Sequence, residues 1–252
     1  MKKIIATLFI FIGIEAVIVQ AVLAINPHAT APAIALGNVA ALAVLFLMKY
    51  FRLNVFNVNR DMLPVFGLCA IIAATALLPS LKLQELMPKL PNIAEDVFEQ
   101  MFGSFMGILA ISVIAPIVEE VIFRGIILKQ LLTMQKFHTK YWYAIVISAV
   151  LFALVHCNPA QMPHAFLIGI LLGWLYYHTK SIMPGIIYHL VNNTIACIIY
   201  HFYPDQEMEL VDMFGSNAAV NTYVFISLVL FIVTLYITNK RFGAQRQQEE
   251  IS

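Results

Sequence analysis

The sequence predicts an all-α, polytopic membrane protein with about eight transmembrane helices and both termini in the cytoplasm. Composition is the first reason. Of 252 residues, 61% are hydrophobic and 12% are charged, and mean hydropathy is +0.85, whereas a soluble domain carries about 25% charged residues. The second is clustering: the apolar residues gather into eight runs, near 4–24, 31–48, 62–79, 104–128, 142–157, 164–178, 182–201 and 220–238, as membrane-spanning helices require. The third is charge asymmetry. With the N-terminus inside, the inner segments hold Lys2, Lys3, Lys49, Arg52, Arg60, Lys129, Lys136, Lys140, Lys180, Lys240, Arg241 and Arg246, and the outer loops hold only Lys82 and Lys89. Every short loop then obeys the positive-inside rule, and an odd number of spans would scramble the pattern. The acidic residues Glu85, Glu95, Asp96, Glu99, Asp205, Glu207, Glu209 and Asp212 favour the outer side.

The runs follow one another as a single membrane domain, 1–252. The first opens on Lys2-Lys3 and closes on Val22-Leu-Ala24, the outline of a signal peptide. Glu15 within it, and the parity of the loops, favour an uncleaved span. In the second, Asn38 is expected to make a hydrogen bond between helices. Ahead of the fourth, Leu90–Met101 sets Ile93, Val97, Phe98 and Met101 against Glu95, Asp96 and Glu99, which predicts an amphipathic helix on the outer surface. The fifth and sixth runs fall short of the ~20 residues needed to cross a bilayer. The polar turn Cys157–Pro163 joins them and is predicted to sink below the membrane surface, where protein or a water-filled cavity must surround it. Cys69, Cys157 and Cys197 fit neither a zinc motif nor a disulfide framework and are expected to be buried thiols. No basic stripe with interleaved aromatics is present, which excludes nucleic acid as a partner.

The fourth run carries the feature that points to function: Glu119, Glu120 and Arg124 lie inside apolar sequence. Left unpaired, three such charges would cost up to about 8–10 kcal/mol in a bilayer. Residues four apart share a helix face, so Glu120 and Arg124 are expected to pair. Glu119 points about 100° away from them. Pro116 removes a backbone donor just before the two acids. Elsewhere, His156 ends the fifth run, and His189 and Asn193 stand four apart on the seventh, with Asn192 beside them. Counted from the inner helix ends at a rise of about 1.5 Å per residue, Glu119, His189 and His156 lie about 15, 12 and 20 Å deep. Their depths permit a common site near the midplane.

A buried polar residue taken singly is most often helix-packing glue; the set together points to chemistry. A Glu with two His at one depth suits activation of water by a general base, zinc ligation or proton relay in a transporter.

Glu119-Glu120-x-x-x-Arg124, Phe152-x-x-x-His156 and His189-x-x-x-Asn193 resemble, in order, the three motifs of the CPBP family of intramembrane endopeptidases, which spans CAAX prenyl protease 2, bacteriocin-processing and abortive-infection proteins. Ala115-Pro116-Ile117, Phe123-Arg124-Gly125, Gly169, Gly173-Trp174 and Thr179-Lys180-Ser181 add to the resemblance, which covers a catalytic core at about 104–200. Lys180 departs from relatives, which more often have Gly there. The resemblance implies hydrolysis of a peptide bond in a membrane-associated substrate (lipidated or prenylated CAAX-type, or bacteriocin-type), in a multi-pass protein of a bacterial plasma membrane. Glu119 would be the general base and His156 would help hold the attacking water. His189 and Asn193 would stabilise the oxyanion. Glu120 and Arg124, with Phe152 and Asn192, would support them. This mechanism requires no cofactor; a zinc ion would take Glu119, His156 and His189, although the His-Glu-x-x-His signature is absent. The competing readings are a non-catalytic scaffold or immunity protein that kept the fold and a proton-coupled transporter, the latter without the repeated interrupted helices usual in transporters.

Overall fold

A computed structural model describes residues 1–137, 139–204 and 208–251. Asp205 and Glu207, counted above with the acidic outer residues, lie outside them. The longer helices are α1 (Lys2–Ile25), α2 (Thr30–Leu47), α3 (Leu63–Leu86), α4 (Glu95–Phe102), α5 (Phe105–Leu132), α6 (Tyr141–Val155), α7 (Met162–Thr179), α8 (Met183–Phe202), α9 (Leu210–Phe214) and α10 (Asn217–Ile251), with no strand among the described residues. Each of the eight apolar runs became one helix. By length and composition α1, α2, α3, α5 and the Asn217–Ala244 part of α10 are long and apolar enough to cross a membrane; α6 is apolar but has 15 residues. The chain is an integral, multi-pass membrane protein.

Local chemistry sets several boundaries. Proline stands in the first turn of α3 and of α7, where its missing N–H is not needed. The Ser104 hydroxyl caps α5 by accepting from Gly107 N at 3.0 Å. At the end of α7, Lys180 adopts the left-handed conformation, φ 54°. Glycine adopts that backbone without the Cβ penalty a lysine carries.

Packing divides the chain into two compact units. The first comprises residues 1–57 and 90–186. In it α1 packs on α2, and Asn38 Nδ2 donates to Glu15 Oε1 at 2.9 Å. Asn38 thus makes the interhelical bond expected of it, with Glu15 as its partner. A Cβ at Gly37 would lie 3.3 Å from Glu15 Cα, so the glycine allows this approach. The core is centred on α5, where Val121, Ile122, Phe123, Ile127 and Leu128 are buried. The contact of α6 with α7 is equally close: a Cβ at Gly169 would lie 2.9 Å from Ala149 Cα, and one at Gly173 2.9 Å from Ile145 Cγ2. This is the small-residue spacing by which membrane helices approach.

The second unit comprises residues 58–89 and 187–252. There α3 packs on α10, with Ser227 Oγ donating to Thr75 O at 2.8 Å. Glu85 accepts from Leu210 N at the head of α9, where Glu209 and Asp212 form a capping box.

Two expectations need correction. The amphipathic segment is helical only from Glu95. Residues 90–94 instead bond to another part of the chain: Pro91 O accepts from Ala160 N, and Ile93 N donates to Asn158 Oδ1. Cys157 is exposed, whereas Cys69 and Cys197 are buried. Cys157 occupies a left-handed turn, φ 50°, which reverses the chain at the surface.

Candidate active site

The helix that carries the two glutamates is not uniformly α. It widens into π-helical turns over Ala110–Ile114 and again over Val121–Leu128, with six α-helical residues, Ala115–Glu120, between them. Pro116 accounts for the first widening, since it offers no N–H and its ring crowds the carbonyl one turn back. In the second, Ser148 Oγ of α6 donates to Phe123 O at 3.0 Å. Such π segments concentrate at functional sites.

The two carboxylates occupy unlike environments. Glu120 and Arg124 are fully buried, and Arg124 Nη1 donates to Glu120 Oε1 at 2.7 Å. Arg124 Nη2 donates to Gly169 O at 3.2 Å, and the guanidinium lies 4.6 Å from the centre of the Phe152 ring. Glu119 is only half-buried and interacts electrostatically with Glu120, Arg124 and Glu15. The expected ion pair is therefore present, and the neighbouring acid is the less buried of the two.

Phe152 links this pair to the histidine. Its ring meets the His156 ring edge-on at 4.8 Å between centroids. His156 Nδ1 lies 2.8 Å from Phe152 O. A carbonyl only accepts, so Nδ1 carries the proton and Nε2 of the neutral ring is left as an acceptor. The first unit thus joins Glu120, Arg124, Phe152 and His156 in one connected group, with Glu119 beside Glu120 on the same helix.

The other predicted residues belong to the second unit. His189 and Asn192 are buried and Asn193 is half-buried, all on α8. Asn192 Nδ2 donates to Asn193 Oδ1 at 3.1 Å, which turns the NH₂ group of Asn193 to the opposite side of its amide.

Three further residues bear on the site. Gly185 is the position where a Cβ would collide with Glu120 Oε2. His164, in the first turn of α7, interacts electrostatically with His156. Asn158, two residues past His156, is buried. Met183-Pro-Gly185 and Met162-Pro-His164 are visible in sequence as helix starts, but nothing local says what lies opposite them. Among the described residues no three His, Cys, Asp or Glu side chains form a group able to hold a metal ion.

Residues 101–195 match the family described as Type II CAAX prenyl endopeptidase Rce1-like. The chain is 37% identical over 92 residues to the "Putative membrane peptidase YdiL" of Bacillus subtilis (strain 168), covering 36% of each chain. It is 29% identical over 100 residues to the "Membrane-embedded CAAX protease MroQ" of Staphylococcus aureus (strain USA300), covering 39% of this chain and 40% of the relative. The matches thus span about two fifths of the length of these curated relatives or less. No solved structure matches. The stretch that matches the Rce1-like CAAX prenyl endopeptidase family, residues 101–195, includes every predicted site residue from Glu119 to Asn193.

Proposed function

We propose that the protein is an intramembrane endopeptidase of a bacterial plasma membrane that hydrolyses a peptide bond in a membrane-associated substrate by means of a glutamate-activated water. The observation that carries this reading is the unlikeness of the two acids. Glu120 is committed to Arg124 within the core, while Glu119 is half-buried one position away.

In the proposed reaction the Glu119 carboxylate takes a proton from water, and the hydroxide adds to the scissile carbonyl carbon. His156 Nε2 accepts a hydrogen bond that orients the water. His189 and the NH₂ of Asn193 donate to the oxyanion; this assignment rests on their motif. Glu119 then returns the proton to the amide nitrogen, the C–N bond breaks, and a carboxylic acid and an amine are released. The proposed substrate is of CAAX type, in keeping with the description of the family and of the MroQ relative.

The test is turnover of a membrane-tethered reporter peptide by the purified protein in vesicles. Glu119→Gln and His156→Ala are expected to lose about 10²-fold or more in turnover while unfolding at the wild-type temperature. Equal cleavage by all three proteins would sink the assignment. Full biological function in Glu119→Gln would favour a non-catalytic scaffold.

A further inference from the structure

His156 sits at the end of α6, and its ring is fixed from within that helix, by the bond to Phe152 O and the contact with the Phe152 ring. Those contacts set the ring relative to α6. Phe152 in turn packs on the Arg124 guanidinium of α5, but beyond it the surface is open: Leu154 and Cys157 are exposed. The chain reverses at Cys157 with φ 50°, and the next side chain turns inward. Asn158 is 1% exposed. Its Nδ2 donates to Asn92 Oδ1 at 2.9 Å, and its Oδ1 accepts from Ile93 N at 3.1 Å. Two residues on, Ala160 N donates to Pro91 O at 3.2 Å. Asn158 O accepts from Gln161 N and Met162 N, which start α7. One buried amide therefore stitches the turn after His156 to a strap, Pro91–Ile93, that lies about 65 residues earlier in the chain. The strap runs directly into α4, whose Met101 is buried in the same unit.

We propose that Asn158 is a positioning residue for the hydrolysis: by fastening the His156 turn to the Pro91–Ile93 strap, it fixes the depth and direction of the His156 ring. The proposal rests on the reading of His156 given above. A buried polar side chain with donor and acceptor both engaged is costly to replace, and a displacement of about 1 Å at an orienting group lowers turnover by about 10²-fold.

Asn158→Leu removes both side-chain bonds. Asn158→Asp keeps the acceptor for Ile93 N and, when its carboxyl group is protonated, supplies a donor for Asn92 Oδ1. Two quantities are measured in vesicles: kcat and KM on the tethered peptide, and the rate at which Cys157 reacts with a water-soluble maleimide, Cys69 and Cys197 being buried. Asn158→Leu is expected to lower kcat at least tenfold with KM within twofold of wild type, and to raise the Cys157 labelling rate at least threefold. Asn158→Asp is expected to restore both to within threefold. Wild-type kcat or wild-type labelling in Asn158→Leu would overturn the proposal. Should that variant fail to fold, Asn92→Leu, at a half-buried position, takes its place under the same criteria. An inactive wild-type protein would refute the endopeptidase reading, and the labelling rate would still decide whether Asn158 anchors the turn.

Discussion

Replacing Gly185 by Ala would add one methyl group near the start of α8. A Cβ there would meet Glu120 Oε2 and would lie 2.9 Å from Cδ and 3.5 Å from Cγ. The carboxylate is the tip of a flexible side chain, and on a surface it would swing aside at little cost. Here it cannot do so and keep its partner. Glu120 Oε1 is held 2.7 Å from Arg124 Nη1, and both side chains are fully buried. Swinging away separates two charges that stay out of water, and breaking such a pair costs about 3–5 kcal/mol. For a chain of this size the melting temperature then falls on the order of 10 °C. The assay is thermal unfolding of the purified protein in detergent, followed by circular dichroism. The mechanism also predicts a rescue: Glu120→Asp withdraws the carboxylate by one methylene, so Gly185→Ala should cost much less in that background. An unchanged melting temperature in Gly185→Ala, or a loss of the same size whether residue 120 is Glu or Asp, would refute the reasoning.

The other predictions concern α7. Lys180→Gly relieves a left-handed residue, whose strain is roughly 1–2 kcal/mol, but gives up the Lys180 contact with the Tyr177 ring at 4.3 Å. A net gain of about 0.5–1 kcal/mol is expected, read as a small rise in melting temperature with turnover unchanged. Gly169→Ala places a methyl group 2.9 Å from Ala149 Cα and 3.3 Å from Phe152 Cδ1. It should cost about 1–3 kcal/mol by overpacking and reduce turnover by loosening the Arg124 bond to Gly169 O. Ala149→Gly should recover part of both losses.

What could be read from the sequence was what depends on near neighbours. Eight apolar runs gave eight helices because hydropathy is a local property, and the Glu120–Arg124 pair was legible because its partners are four residues apart. Glu15 found its partner in Asn38 on the next helix, but its proximity to Glu119 had no sign in the chain. The Asn158 contacts with Asn92 and Ile93 join residues about 65 apart, and the importance of Gly185 lies wholly in a side chain of another helix. The π-helical turns have no sign in the apolar pattern for a different reason: a period of 3.6 residues per turn does not hold throughout α5. For Glu119 and Glu120 it does hold, because they lie in the α-helical stretch between the widened turns. Leu90–Ala94 is not helical as its pattern predicts, because an alternation of apolar and acidic residues cannot show that the backbone of Pro91 and Ile93 bonds elsewhere.

The buried ion pair also bears on how the chain is made. Its two charges lie on one helix, so neutralisation needs nothing beyond α5 itself. Gly169, which also bonds Arg124, lies 45 residues further along the chain and is synthesised after α5 is complete. A span whose charge was balanced only by a later helix would enter the lipid bearing an unmatched guanidinium, at a cost of about 2.5–3.5 kcal/mol. With Glu120 one turn away, α5 can be handed to the bilayer already matched, and α7 then closes over a pair that has formed.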